Sequence, residues 1–449
     1  MASTYLSRTS STPTNALKWT FSAWLKISSI DNDTFLLDFN TDTNNRSQIG
    51  FSNDSSLPRL IVYEKVSAST SQLFLTSALF RDPSAWYHIV VSCDRTLGTD
   101  TERTKIYING TRTTSFSSTP NYPAQNTTGI INTAVSTLIG KYSQSTLNYN
   151  GLMTHVNFID GTAYDASAFG QTDATTGIWK PKGFSGSYGT NGFFLKFENS
   201  GSMGTDSSGN GNNFTVNGTL TQTVDTPSNV FATFNPLNVP TSNAPTYSNG
   251  NNTVVTANGT LAYFGGTSSL GVSSGKWYTE FKVSDAATAD VFIGITFDPA
   301  LDARNNGYSG FTDASGWSYF SDNGNIYNNG STAYGNSYTT GDIIGVAMDL
   351  DNAKLYFSKN GTFQNSGDPT SGATGTGAIS ITSGETYFFS CGDGTATSAS
   401  TIQANFGNGY FGTTPVSSAT SDESGLGIFE YTVPSGYYAL CTKNINTQG

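Results

Sequence analysis

Short runs that alternate apolar and polar residues, each stopped by a turn residue, leave this chain few folds to choose from. Trp19-Thr-Phe-Ser-Ala-Trp-Leu-Lys26 puts Trp19, Phe21, Ala23 and Leu25 on one face, the period of a strand with one buried side. Similar runs follow at 35–39, 60–63, 86–93, 105–108, 136–140 and 155–159, and in the second half at 276–283, 291–295, 343–348, 354–357 and 386–390. KIYI at 105–108 stops at Asn109-Gly110, and KLYFSK at 354–359 stops at Asn360-Gly361. Asn-Gly supplies the positive φ angles of a two-residue hairpin turn. No stretch sustains a 3.6-residue apolar period, and there is no heptad stalk. The expectation is an all-β chain: two antiparallel β-sandwich, jelly-roll-like domains in tandem.

Composition agrees. Only 12% of the 449 residues are charged and 48 are Gly, which removes the best helix formers and favours turns. A 13% aromatic share supplies enough large apolar surface to exclude disorder. The length points to two cores. A Pro/Ser/Asn-rich stretch at 222–252, extended and partly pinned by Phe231 and Phe234, reads as a connector. The expected division is residues 1–221, connector 222–252, second domain 253–442 and a C-terminal tail at 443–449.

A net charge of −11 and a sequence pI of about 4.6 disfavour nucleic acid and anionic membranes as partners. No apolar run approaches the roughly 20 residues of a spanning helix. The opening MASTYLSRTSS lacks a cationic segment followed by an apolar one, so no cleaved secretory signal is expected. Cys93, Cys391 and Cys441 read as free structural thiols; a Cys391–Cys441 disulfide is the less favoured alternative.

The first half resembles laminin-G-like (concanavalin A-like) jelly rolls. FSAWLK at 21–26, WYHIVVSCD at 86–94, KIYINGT at 105–111, and IGKY followed by YNGLMTHVNFIDG within 139–161 carry the likeness. In that family a strand followed by a phrase like DSSGNGNN usually opens the domain; here FFLKFENS (193–200) and DSSGNGNNFTVNGTL (206–220) come last. The resemblance implies a circular permutation, with 193–220 folding back beside Tyr5-Leu6. The second half resembles a SPRY domain through GKWYTEF (275–281), VFIGI (291–295), GDIIGVAMDLDNAKLYFSKNGTF (341–363), ANFGNGYF (404–411) and PSGYYAL (434–440). The pairing of the two, with PSNVFATFNPL at 227–237, resembles structural proteins of tailed bacteriophages, particularly those of marine hosts.

Candidate chemistry is sparse. His88 and His155 both sit inside expected strands and read as structural. The paired carboxylates of jelly-roll glycosidases, of the form Glu-x-Asp-x-x-Glu, are missing. Asp349 and Asp351 read as a turn. Asp206, Ser208 and Asn210, followed by Gly211, resemble the start of a Ca²⁺ loop without its closing Glu. Asp31, Asp33, Asp38 and Asp42 crowd a second region. Side chains capping their own backbone need no metal and explain both regions as well. For a glycan, the candidates are Tyr308, Trp317, Tyr327 and Tyr334 in the aromatic, Asn-rich stretch from Gly307. Of these, Trp317 and Tyr327, with Tyr319, also fit core positions, while Tyr308 and Tyr334 read as exposed. Glu430-Tyr-Thr-Val433 reads as an edge strand able to pair between chains.

The phage resemblance implies a non-enzymatic virion surface protein: a fibre, appendage or capsid decoration. It would be made in the host cytoplasm, displayed on the virion surface and assembled as a homo-oligomer. Its partners would be other virion proteins and a host-surface glycan or receptor, with no nucleic acid and no membrane insertion. No cofactor is expected, with Ca²⁺ left open. The alternative is a secreted or free carbohydrate-binding lectin, or a polysaccharide-active enzyme, on the concanavalin A-like fold; a third reading is pure architecture with no ligand.

Overall fold

The alternation at 19–25 becomes the strand Lys18–Ile27. Its Trp19, Phe21, Ala23, Leu25 and Ile27 are buried in one cluster with Ile89, Val91 and Cys93 and with Leu37, Phe39, Ile49, Phe51, Leu60 and Val62. The computed structural model describes residues 4–28, 33–54, 57–257, 264–286, 290–300, 314–394 and 398–449. It divides into two units, Met1–Gln222 and Thr223–Gly449.

Two sheets face each other across the first unit's core. One has seven strands in the order Thr215–Asn217, Tyr5–Thr9, Ser136–Ile139, Thr34–Asp42, Asn45–Asp54, Leu57–Val66, Ser69–Leu75. The other has six: Phe193–Leu195, Gly151–Asp160, Lys18–Ile27, Trp86–Asp94, Thr104–Ile108, Thr111–Thr113. The late segment does fold back. Val216 pairs with Leu6, and Phe193 pairs with Phe158. Phe193, Leu195 and Phe214 thereby join the first core.

Asp160 ties the ends of this arrangement together. Its carboxylate accepts N–H bonds from Thr14 (2.7 Å), Asn15 (3.2 Å) and Asn191 (3.0 Å), and one from the Asn132 amide (2.8 Å). Buried N–H groups demand such partners. Burial pushes Asp160 up, but these donors outweigh it and hold the carboxyl below its ordinary range.

The second unit repeats the architecture with different strands. A nine-stranded sheet is built on Lys276–Asp285, with Thr401–Asn405 on one side and Ile343–Asp349 then Lys354–Lys359 on the other. A six-stranded sheet centres on Val291–Thr296, between Phe388–Asp393 and Gly316–Phe320. Trp277, Phe281, Val346, Met348, Phe357, Ile293 and Phe389 meet in its core.

Both Asn-Gly hairpins form as expected. Asn109 and Gly110 have φ of 49° and 82°, and Asn360 and Gly361 have 49° and 80°, the paired positive angles of a tight hairpin turn. In each, the Asn also clamps the neighbouring strand. Asn109 Oδ1 accepts from His88 N (2.8 Å) and Asn360 Oδ1 from Ile343 N (2.9 Å). The two Asn N–H groups donate back to His88 O and Ile343 O. One local solution serves two separate domains.

Three readings change. The stretch 222–252 is not a connector: Phe231 and Phe234 are fully buried, and Thr246–Ser248 begins the nine-stranded sheet. Pro and Asn write a turn-like text over a segment whose two Phe rings need a core. Residues 443–449 are not a loose tail but lie in the helix Thr442–Gln448 and its C-cap Gly449. Asn444 there donates to Asp422 Oδ2 (2.9 Å) and Ala439 O (3.0 Å), and Thr442 N donates to Val230 O (2.9 Å). Residues 430–433 are not a free edge, because the N–H groups of Glu430 and Tyr431 already donate to the Glu280 carboxylate at 2.8 and 2.9 Å. Removing 442–449 should cost the second unit about 2 kcal/mol or more by stripping these buried acceptors, measured as a shift in the urea midpoint.

Candidate functional site

On the first unit, the six-stranded sheet turns its polar positions away from the core. Register places Thr20 beside Ser92 and Ser92 beside Lys105, with Val90 opposite Tyr107 in the neighbouring pair. Part of this face is covered by residues 164–188, where Tyr164, Phe169, Phe184 and Tyr188 pack on Val90 and Ile159. Beside that cover the face stays open as a cleft of about 230 Å³, whose lining includes Ser92, Asp94, Glu102, Lys105, Tyr107, Tyr164 and Asp165. This lies below the roughly 300 Å³ at which drug-sized sites begin, so it suits one small ring.

The lining is polar, and two of its acids are ion-paired. Lys18 Nζ stands 2.9 Å from Asp94, and Glu102 bridges Lys105 (2.9 Å) and Arg112 (2.8 Å). Hydrogen bonds from Arg112 and Lys105 hold Glu102 down to about 2. Burial pushes Asp94 up, but hydrogen bonds from Thr96 and Lys18 keep it below the ordinary carboxylate range. Asp165 spends Oδ1 on Ser167 N (2.9 Å) to cap a short 3-10 turn. Among the lining residues are three acids, one base, two tyrosine rings and a serine hydroxyl. Lys18 and Arg112, outside the lining, complete the ion pairs of Asp94 and Glu102, while Asp165 is held by Ser167. A neutral, hydroxyl-rich ligand fits such a lining without adding a charge to it.

The histidines are packing elements. His88 is fully buried, stacked on Trp24 at 4.8 Å, and burial drives it down to about 3. Trp179 Nε1 donates to its Nδ1 (3.0 Å), so Nε2 carries the proton and faces Ser22 Oγ (2.9 Å). His155 sits at a register shift in Gly151–Asp160 with φ of 49°. All three cysteines are buried and free.

Asp206, Ser208 and Asn210 come together as a self-capped loop. Asp206 accepts from Phe194 N (2.9 Å), Ser208 N (2.8 Å), Ser208 Oγ (2.8 Å) and Asn212 N (2.8 Å), while Asn210 Nδ2 donates to Gly189 O and Gly192 O. Asp42 likewise accepts from Asn44 N and Asn45 N, and Asp38 from Ser143 N (2.8 Å). Asp31 lies outside the described residues. Among the described residues, no three His, Cys, Asp or Glu gather as a metal would require. Asp349 and Asp351 form the expected turn, through Asn352 N (3.1 Å) and Gly275 N (2.8 Å).

Among the described residues, the aromatic candidates of the second unit do not assemble into a surface site. Tyr308 lies outside the described residues. Trp317 is buried at 7% exposure in the core, its ring 6.0 Å from Tyr387. Tyr327 meets Phe292 edge-on at 5.3 Å. Tyr334, expected to be exposed, is half-buried, and its hydroxyl accepts from Phe357 N (3.1 Å). The sandwich interior claims Trp317 and packs Tyr334 against it, while Tyr327 joins a separate small cluster with Phe292 and Phe320. Sequence reading misses the cleft because its residues look like the polar side of ordinary strands; the only signal is Tyr107 standing where a small polar residue would serve.

Comparison with known proteins gives a match for each unit. Residues 2–168 match the family model described as the Concanavalin A-like lectin/glucanases superfamily, and residues 276–390 match the SPRY domain model. No curated protein matches the sequence. Among solved structures, the SPRY domain of human HERC1 is 20% identical, with 38% of this chain and 96% of that one covered and a TM-score of 0.30. A structure of stonustoxin is 17% identical over 39% of this chain and 27% of that chain, with a TM-score of 0.29. A human SPRY domain is 15% identical over 34% and 90%, with a TM-score of 0.24.

Proposed function

From a chain that carries a concanavalin A-like domain followed by a SPRY domain, we propose a non-enzymatic binding protein that holds a neutral glycan in the cleft of its first domain. The observation that carries this is the polar lining of that cleft, where Tyr107 and Tyr164 stand beside acids already engaged, Asp94 with Lys18, Glu102 with Lys105 and Arg112, and Asp165 with Ser167. The resemblance of the domain pairing to phage structural proteins sets the biological context. In this reading the chain is a surface component of a tailed-phage virion, a fibre, appendage or capsid decoration. It is made in the host cytoplasm and assembled as a homo-oligomer with other virion proteins, and it contacts host-surface glycan or receptor.

The test is retention of the full-length protein on immobilised neutral glycans. Tyr107→Ala and Tyr164→Ala are each expected to lower affinity about tenfold, the scale of a lost aromatic anchor, measured at a temperature where each variant remains folded. Retention unaffected by both variants would move binding elsewhere on the protein. Immunogold labelling of particles tests the virion context separately, since unlabelled virions would leave a free lectin.

Asp94, Glu102 and Asp165 in the same cleft keep a hydrolase in view. A glycosidase needs one carboxyl protonated near neutral pH, whereas Asp94 and Glu102 are both held ionised by their hydrogen-bonding neighbours. Reducing ends released from polysaccharide, and lost in Asp165→Asn, would establish the enzyme instead.

A further inference from the structure

Twelve Asn-Gly pairs occur in the sequence, ten of them within the described residues. Asn-Gly carries a built-in chemistry: glycine, without a Cβ, leaves its nitrogen open to attack the preceding amide, and Asn is among the thermolabile residues for that reason. A folded protein can suppress the reaction by binding the Asn side chain and fixing the backbone around it. Most pairs here are held in that way. Asn109 and Asn360 have Oδ1 occupied by a strand N–H, and Asn360 Nδ2 also donates to Asp342 (2.7 Å). Asn191 is bound at both side-chain ends to Ser11, Asn210 Nδ2 donates to two carbonyls, and Asn249 Nδ2 donates to Thr253 Oγ1 (3.0 Å). Asn217 Nδ2 reaches Ser7 Oγ, while Asn323 and Asn408 accept from the backbone two residues on.

Asn329 differs. It lies at the tip of the hairpin joining Asn325–Tyr327 to Ser331–Ala333, at the end of the six-stranded sheet of the second unit, and Gly330 beside it is exposed. Among the described residues no side-chain hydrogen bond engages it, whereas its neighbour Asn328 donates to Gly316 O (2.8 Å). Space around Gly330 is open, with no atom within 4 Å of where a Cβ would stand. Asn150 has no such side-chain bond either, but it is half-buried, its carbonyl is fixed by Ser28 N (3.0 Å), and Gly151 is built into a strand.

We propose that Asn329 is a site of spontaneous deamidation, a modification that the fold suppresses at the bound Asn-Gly pairs. The Gly330 nitrogen attacks Asn329 Cγ, forming the C–N bond of a five-membered succinimide. The side-chain amide nitrogen leaves as ammonia, taking up the proton lost from the Gly330 N–H. Water then opens the ring at either carbonyl to give aspartate or isoaspartate. The product carries one more negative charge, and the isoaspartate form adds a methylene to the backbone of the turn. That extra atom falls beside the Tyr327–Ser331 pair and should loosen the outer hairpin without touching the core.

The experiment is peptide-mapping mass spectrometry of the full-length protein after timed incubation in mildly alkaline buffer. The peptide containing Asn329 should show the exchange of –NH₂ for –OH about tenfold sooner than peptides containing Asn109 or Asn360, the factor one side-chain hydrogen bond is worth. In urea the difference should vanish, because shielding belongs to the fold. Thr253→Val, which removes the partner of Asn249, should raise conversion at Asn249 about threefold to tenfold. An intact Asn329 in a sample where Asn109 or Asn360 has converted overturns the proposal, as does a ranking that survives unfolding.

Discussion

Replacing Arg95 with alanine removes about 3–5 kcal/mol from the stability of the first unit, read as the fall in its denaturation midpoint. The size follows from where the charge sits. Arg95 and Glu64 are 1% and 0% exposed and pair directly, so deleting Arg95 leaves the Glu64 carboxyl in the interior without its cation. Glu64 Oε1 also accepts from Ile130 N (2.8 Å) and Ile131 N (3.2 Å), which fastens the 125–131 crossing to the seven-stranded sheet. Gly129 must be glycine here, since a Cβ would fall onto both Glu64 and Arg95. The double variant Glu64→Leu/Arg95→Met removes both charges yet leaves two buried N–H groups without an acceptor, so it should recover only part of the loss. A cost below about 1 kcal/mol for Arg95→Ala, the range of exposed pairs, would mean that water reaches the site.

That pair also shows where the sequence stops being readable. The alternation at 19–26 and the two Asn-Gly turns announce sheets and hairpins, because strand period and turn geometry are local properties. Glu64 in LPRLIVYEKV and Arg95 after WYHIVVSCD look like ordinary strand-end charges. Their burial depends on a loop crossing from over thirty residues later. The cleft is hidden for the same reason: Ser92, Lys105 and Tyr107 sit on the polar face of their strands, but Tyr164 and Asp165 are brought to them by the turn after Gly151–Asp160. The phenylalanines at 231 and 234 stand out as pins, yet a text dominated by Pro, Ser and Asn conceals that they anchor a sheet rather than a linker. The SPRY aromatics are legible as residue types; only packing decides which of them stay covered.

The second large effect is one of pH. Glu280 is buried in the second unit, and burial raises its carboxyl to about 7, against the usual carboxylate range near 4. Donors from Glu430 N, Tyr431 N, Tyr278 and Asn405 oppose that rise without cancelling it. A raised folded value means that the native state binds the proton more tightly than the unfolded chain. The contribution is therefore fully present below about pH 4.5 and is lost as pH rises through about 7. The second unit should become more stable between about pH 8 and 5, by on the order of 3 kcal/mol from this group. Asp342, where hydrogen-bond donors outweigh the upward push of burial, and Asp368, held low by Thr370, act in the opposite sense only at more acid pH. Glu280→Gln should flatten the profile, as read by urea midpoints at several pH values. An unchanged slope in that variant would assign the pH dependence to another group.

The strand Tyr5–Thr9 lies between Ser136–Ile139 and Thr215–Asn217. During vectorial synthesis this strand must therefore wait for residues more than two hundred positions later before its outer edge is paired. Until Phe193, Leu195 and Phe214 arrive, the nascent sandwich presents the unfilled side of Phe158 and an open backbone edge to the cell. A fragment ending at residue 168, where the family match ends, would keep both defects permanently. Its fate should be aggregation rather than an independent fold.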